Sequence, residues 1–123
     1  METILFDTDY IIDFLRGKSS SRDAISEPLS QSRAYICILT VYELYAGMRP
    51  GEKEATEDCV NAFQIEPVTL EIAKKAGTMR FNYRQKGVTL SIVDCIIAET
   101  ARANNRLLAT MNKKHYPDVK FYL

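Results

Sequence analysis

Short apolar stretches alternate along the chain with longer segments in which apolar residues recur every three or four positions. The short stretches predict strands at residues 3–7, 34–38, 65–68, 106–110 and 118–122. The longer segments predict helices at residues 8–16, 20–30, 40–48, 52–63, 69–86 and 91–104. Turns are predicted at residues 17–21 and 49–51, and a loop at residues 86–90. Strands that alternate with helices in this way are typical of an α/β fold with a parallel sheet.

Length and composition predict one globular domain over residues 1–123. Apolar residues make up 46% and charged residues 26% of the sequence, which is typical of a domain that buries its own core. No apolar run approaches the ~20 residues of a membrane span, so we expect no membrane association. Because the sequence opens on strand-like residues instead of a basic and then apolar signal segment, we expect cytoplasmic localisation.

The three cysteines predict neither a disulfide set nor a zinc site. Cys37, Cys59 and Cys95 are odd in number, lie among apolar residues and lack the CxxC spacing. We expect them to be small buried thiols.

Charge is zero overall but unevenly distributed. Residues 1–73 contain 6 Lys and Arg against 13 Asp and Glu, whereas residues 74–123 contain 10 against 3. A basic C-terminal half suits an anionic partner such as a nucleic acid, but attraction between the two halves of one molecule explains the pattern equally well.

Three acids lie at the predicted carboxyl ends of strands or at the helix starts that follow them. In α/β proteins with a parallel sheet, this is where the binding site forms. Asp7 directly follows the first predicted strand. Glu43 and Asp94 each lie three residues after a hydroxyl residue, Thr40 and Ser91. This S/T-x-x-D/E pattern also describes a capping box, in which the acid only caps its helix. A charge among apolar residues, as at Asp7 and Asp94, is costly without a partner, which favours a shared site.

A shared site of this kind implies a metal ion, because crowded carboxylates repel one another unless a divalent cation lies among them. Oxygen ligands without paired His or Cys favour Mg²⁺, or Mn²⁺, over zinc. The only histidine, His115, is either a surface side chain or a residue at the rim of the acidic site. Asp9, at the start of the first predicted helix, is expected to complement the helix dipole.

Four segments resemble, in order, the motifs of the PIN-domain ribonucleases, and most closely those of the VapC-type toxins of prokaryotic toxin–antitoxin pairs. The segments are ILFDTDYIIDFLRG, TVYELYAGM, LSIVDCIIAETA and LLATMNKKHYP. The resemblance covers essentially the whole chain and implies a three-layer α/β/α PIN-like fold with a central, mainly parallel sheet of four to five strands. It also implies that Asp7, Glu43 and Asp94 bind the metal of a Mg²⁺-dependent ribonuclease.

The fourth segment departs from the fullest acidic pattern of the family. Where many PIN domains have an aspartate after the threonine and another acid before an aromatic residue, this chain has Asn112 and His115. Asn112 brings no charge, although its amide can hydrogen-bond within the site, so we count it as catalytic without being a metal ligand. Thr110, Asn112 and His115 are expected to support the site from outside.

The resemblance also implies partners. We expect an RNA substrate, a cognate antitoxin protein and a homodimer. Candidates for holding the RNA backbone come from the basic C-terminal half: Arg80, Arg84, Lys86, Lys113 and Lys114. Apolar and acidic residues of segments 40–48 and 52–63 would form an antitoxin groove, unless the apolar ones face the protein's own core.

Other functions fit some of the same residues. FDTDY also resembles the opening of haloacid-dehalogenase-like phosphatases, but these need a later acidic pair that RLLATMNKKHY lacks. A housekeeping PIN nuclease and a non-catalytic RNA-binding module remain alternatives. The three intact acids argue against the non-catalytic module.

Overall fold

The computed structural model of the chain describes residues 1–116 and 119–123, without the side chain of His115. The strands are β1 (Ile4–Phe6), β2 (Ala34–Cys37), β3 (Gln64–Glu66) and β4 (Leu107–Ala109). The helices are α1 (Thr8–Leu15), α2 (Ser19–Ser30), α3 (Ile38–Ala46), α4 (Lys53–Ala62), α5 (Leu70–Gln85) and α6 (Ile92–Ala103), followed by a 3₁₀ turn at Lys113–His115. The predicted α/β/α fold is confirmed.

The sheet is parallel, in the order β3-β2-β1-β4. β1 is therefore central, and its Leu5 pairs with Tyr35 on one side and Leu108 on the other. The fifth predicted strand, 118–122, is reduced to one parallel bridge between Phe121 and Leu108, and Asp118 lies outside the described residues. Four parallel strands bring the carboxyl ends of β1 and β2 to the same edge, as the prediction requires.

Both faces of β1 are buried, which explains its unbroken apolar run. Successive side chains of a strand point to opposite faces. Ile4 and Phe6 pack in one core cluster with Phe63, while Leu5 packs in the other with Ile97. The backbone of β1 is thereby held between two packed layers. This fixes the position of Asp7, the residue that follows the strand.

Every helix begins within two residues of its predicted start, and two of the shifted starts have a clear cause. α3 begins at Ile38 and not at residue 40, because Cys37 ends β2 and serves directly as the extended N-cap residue. α2 begins at Ser19, inside the predicted turn, since Gly17 alone takes the left-handed backbone conformation that reverses the chain (φ 76°). Thr40 consequently lies inside α3, fully buried.

The prediction that the three cysteines are buried thiols is confirmed. Cys37, Cys59 and Cys95 are buried free thiols, and burial raises the pKa of each of them. Within the described residues, no helix has both the length and the apolar character that crossing a bilayer requires.

Candidate functional site

Asp7 lies at the junction of β1 and α1, where it is the N-cap residue of the helix. Its carboxylate Oδ1 accepts a hydrogen bond of 2.7 Å from the backbone N–H of Thr8. Oδ2 accepts two more, from the Thr110 hydroxyl at 2.8 Å and the Tyr116 hydroxyl at 2.9 Å. Asp7 is only 7% exposed, so these protein donors replace most of the water that an acid normally binds.

Opposing influences act on the pKa of the Asp7 carboxyl, and the effect of burial is the largest. Burial is the largest influence and raises the pKa of the Asp7 carboxyl. The hydrogen bonds from Thr110, Tyr116 and Thr8 act in the opposite direction, and the nearby charge of Asp9 adds to the increase. The site therefore holds a carboxylate whose charge is incompletely compensated by its own neighbours.

Asp94 is brought to Asp7 by α6. Ser91 caps this helix, and its hydroxyl accepts a 3.0 Å hydrogen bond from the backbone N–H of Asp94. The half of the capping box made by Ser91 is thus present. The Asp94 carboxylate Oδ1 also lies 2.9 Å from the Tyr116 hydroxyl, whose single proton is shared between Asp94 and Asp7. One buried tyrosine therefore links the two acids.

Tyr116 is 1% exposed and keeps its proton. Burial first, and then the neighbouring charges of Asp7 and Asp94, raise the pKa of its hydroxyl far above the usual value. A neutral phenol supplies one donor, while two carboxylates lie within hydrogen-bond distance of it. Two carboxylates that share one neutral donor bring oxygen atoms together, which is the chemistry of an oxygen site for a hard cation.

Glu43 joins the same network through Thr8. The Thr8 hydroxyl donates to Glu43 Oε1 at 2.6 Å and lies 2.9 Å from the Thr40 hydroxyl. The Thr40–Glu43 capping box offered as the structural alternative is wrong, because Cys37 occupies the N-cap position without a side-chain cap bond. Half-buried Glu43 is thus connected to the chain segment that carries Asp7.

Asn112 contacts the site at its edge. Its backbone N–H donates to the Thr110 hydroxyl at 3.1 Å, and its side-chain amide donates to Asp9 Oδ2, also at 3.1 Å. Thr110 therefore contacts the acid Asp7 directly. Asn112 instead contacts Asp9 and Thr110, so it reaches Asp7 only through Thr110. The predicted role of the His115 side chain lies outside the described residues.

The three predicted acids lie in one hydrogen-bonded network without forming a finished metal cage. Across the described ranges, no three acidic, histidine or cysteine side chains are gathered closely enough to hold an ion as they stand. Tyr116 links Asp7 to Asp94, and Thr8 links Asp7 to Glu43. The donor set suits Mg²⁺ or Mn²⁺ in chemistry, and the side chains of Glu43 and Asp94 would have to close on the ion.

Sequence reasoning missed two residues of this network, Thr8 and Tyr116. Both lie inside the quoted motifs, directly after Asp7 and as the aromatic residue of the fourth segment. The available signal was the hydroxyl on each side chain, since a buried hydroxyl usually finds a polar partner.

The predicted RNA-contacting residues lie on two parts of the surface. Arg80 is half-buried and donates to the carbonyl of Leu90 at 2.9 Å, just before the Ser91 cap of α6. Arg84 and Lys86 are exposed at the end of α5, while Lys113 and Lys114 are exposed beside Asn112. Arg80 thus lies next to the start of the helix that carries Asp94, and Lys113 and Lys114 follow Asn112 along the chain.

The predicted antitoxin groove is only partly available. Leu44, Cys59 and Phe63 face the protein's own core, so for these three residues the groove prediction is wrong. Tyr42 is 71% exposed, and a small groove of about 30 Å³ between α1, α3 and α4 is lined by apolar side chains, two acids and the basic Arg16. Its lining includes Ile12, Leu15, Glu43, Met48 and Glu52.

The chain belongs to the PIN domain family, whose model matches residues 4–121. This match decides against the haloacid-dehalogenase-like alternative. Among curated proteins, the chain is 33% identical to Ribonuclease VapC10 of Mycobacterium tuberculosis over 114 residues, covering 93% of this chain and 86% of that protein.

Solved structures show the same fold. The chain superimposes on a chain of DNA-bound VapBC from Salmonella typhimurium with a TM-score of 0.81 and 20% identity, covering 99% of this chain and 98% of that one. It superimposes on a chain of a toxin–antitoxin complex from Klebsiella pneumoniae with a TM-score of 0.78 and 24% identity, covering 94% and 92%. At these identities the likeness concerns the fold alone.

Proposed function

We propose that this protein is a Mg²⁺-dependent ribonuclease and the toxin of a toxin–antitoxin pair. The observation that carries the proposal is the buried network in which Tyr116 joins Asp7 to Asp94 and Thr8 joins Asp7 to Glu43. Membership of the PIN domain family and the similarity to a protein named as a VapC ribonuclease support RNA cleavage as the reaction at this network.

Asp7, Glu43 and Asp94 would hold the cation, with Mn²⁺ as a substitute for Mg²⁺. A hard cation supplies a water of lowered pKa and neutralises charge on the reacting phosphate. The chain's own residues do the positioning: Thr8 and Thr110 each donate to a carboxylate of the set. Donors of this kind fix the direction of a ligand and raise its affinity for the metal.

RNA would approach over the basic borders of the site. Lys113 and Lys114 lie beside Asn112, and Arg84 and Lys86 lie at the end of α5. Lysine and arginine contacts to phosphate make binding fall steeply with salt.

A partner protein would control the enzyme. An antitoxin helix would lie in the groove between α1, α3 and α4, near Glu43, and an arginine from it would bind the carboxylates in place of the cation. The structural neighbour from Klebsiella pneumoniae is itself a toxin–antitoxin complex, which supports a partner of this kind. The exposed apolar side chains of Phe81, Val88 and Ile92 are candidates for contacts with a second copy of the chain.

The direct test replaces Asp94 with asparagine. Asp94→Asn removes one of three ligand charges, so we expect Mg²⁺-dependent cleavage of RNA to be lost while the thermal midpoint without metal stays equal or rises. Asp23→Asn is the matched control, since Asp23 is exposed on α2. Cleavage by Asp94→Asn at the wild-type rate would leave Asp94 as a helix-start residue only and overturn the proposal.

A further inference from the structure

Tyr116 has a hydroxyl that core packing does not require. Its ring lies in the second core cluster with Leu5, Ile97 and Leu108, and a phenylalanine ring would fill the same volume. A hydroxyl in such a place costs free energy unless it finds a partner. The partners it finds are Asp7 and Asp94, two of the three acids of the candidate site.

The hydroxyl is held in a fixed place. The tyrosine is 1% exposed, so its ring has little freedom to turn, and its backbone N–H donates to the carbonyl of Lys113 at 3.1 Å. Each acid oxygen lies 2.9 Å from the hydroxyl oxygen. The two carboxylate oxygens therefore cannot lie further apart than twice that distance.

We propose that Tyr116 is a positioning residue of the metal centre, whose hydroxyl holds the carboxylates of Asp7 and Asp94 side by side for the cation. Hydrogen bonds to ionised acceptors are strong and directional, and Thr110 steadies Asp7 from the same side. The inference rests on the proposed function, because it assigns Tyr116 to the metal centre proposed there.

The expected effect of removing the hydroxyl is a loss of metal affinity. Donors behind metal ligands typically contribute 10–100-fold, so Tyr116→Phe should weaken binding of Mn²⁺ by about that factor. A residue that only fills the core would leave this affinity unchanged, because phenylalanine keeps the ring. Loss of thermal stability alone does not separate the two roles, which is why affinity is the decisive measurement.

The experiment is a calorimetric titration of the metal-free full chain with Mn²⁺. Wild type, Tyr116→Phe and Tyr122→Phe are compared, each checked for its fold by circular dichroism. Tyr122 is a matched control, because its hydroxyl donates to the carbonyl of Ala24 at 3.3 Å and its ring packs on Phe6. We expect Tyr122→Phe to bind like the wild type.

A second variant keeps the test decisive if phenylalanine disturbs the fold. Replacement of Tyr116 by para-aminophenylalanine keeps a donor at the end of the ring and should recover most of the affinity. Equal or tighter Mn²⁺ binding by Tyr116→Phe would overturn the inference and leave the proposed function standing. If the wild type itself bound no Mn²⁺, the proposed function would be overturned, and this inference with it.

Discussion

Asp7 shows how a charged residue is accommodated at the end of a buried strand. Ile4 and Phe6 draw β1 into the core, and Asp7, which follows at once, is left 7% exposed. Three donors stabilise its carboxylate. Burial nevertheless raises its pKa, so these hydrogen bonds do not fully replace water. Holding this charge at neutral pH therefore lowers the stability of the metal-free protein.

Asp7→Asn should therefore stabilise the metal-free protein at neutral pH. In the unfolded chain the pKa of the Asp7 carboxyl is near the usual 3.8, whereas in the folded protein its pKa is higher. The carboxyl of the folded protein therefore keeps its proton to a higher pH. Wild-type stability then falls as pH rises from that value through the raised pKa, by about 1.4 kcal/mol for each pKa unit. Below 3.8 both states are protonated, so the advantage of asparagine should disappear.

Urea unfolding of wild type and Asp7→Asn from acid to neutral pH measures this effect. The difference in unfolding free energy should grow as pH rises through the window. A difference that stays constant with pH would show that asparagine acts through its packing or hydrogen bonds and not through the missing charge.

Single residues also show where sequence reasoning stops. Asp7 and Asp94 come close together as predicted, because strand ends and helix starts gather at one sheet edge. The contact of Asn112 with Asp9 and the contacts of Tyr116 could not be foreseen, since they join positions more than a hundred residues apart or depend on how an irregular segment packs. That Asp7, Glu43 and Asp94 bind metal stays a prediction.

At the scale of elements, the first turn of α1 organises the neighbouring helix α3. Thr8 is the first residue of α1, 6% exposed, and its hydroxyl contacts both Thr40 and Glu43. The contact exists because α3 begins immediately after β2, which places Thr40 inside the helix. A sequence pattern that starts α3 at residue 40 cannot reveal it.

Thr8→Val tests this connection, because valine has nearly the same shape and no hydroxyl. We expect a loss of about 1–3 kcal/mol in unfolding free energy, since buried acceptors lose their donor. Mn²⁺ affinity should fall about 10-fold or more, because Glu43 loses the group that directs it. Thr78→Val is the control, as the exposed Thr78 hydroxyl only donates to the carbonyl of Lys74. Unchanged Mn²⁺ affinity in Thr8→Val would separate Glu43 from the metal.

The remaining elements show what periodicity does and does not determine. Pattern and length place the six helices within a few residues, because amphipathic faces and short apolar strands follow from burial. The fifth predicted strand, 118–122, is strand-like in sequence, but among its described residues Phe121 makes only an isolated bridge to β4. Whether an edge segment forms a strand depends on the backbone that lies beside it in the fold. A local sequence pattern contains no information about that neighbour.

For the whole molecule, the proposed toxin role predicts a partner. Expression of the chain alone should arrest growth, and co-expression with the small protein encoded beside it should restore growth and yield a complex that does not cleave RNA. The physical reason is that a helix in the groove near Glu43 would cover the acids. Growth assays and co-purification measure this outcome.

Asp94→Asn serves as the control, because an inactive chain should be harmless with or without the neighbour. Normal growth of cells that contain the active, metal-loaded enzyme, together with no complex, would contradict the toxin role and leave a housekeeping nuclease.

The central position of β1 has a consequence for the time at which the protein becomes active. Asp7 leaves the ribosome 103 residues before Thr110 and 109 residues before Tyr116, the two neighbours of its Oδ2 atom. β4, which pairs with β1, emerges with them. A nascent chain can thus carry all three acids while its acidic network is still unfinished. The network can therefore assemble only after Thr110 and Tyr116 have been synthesised.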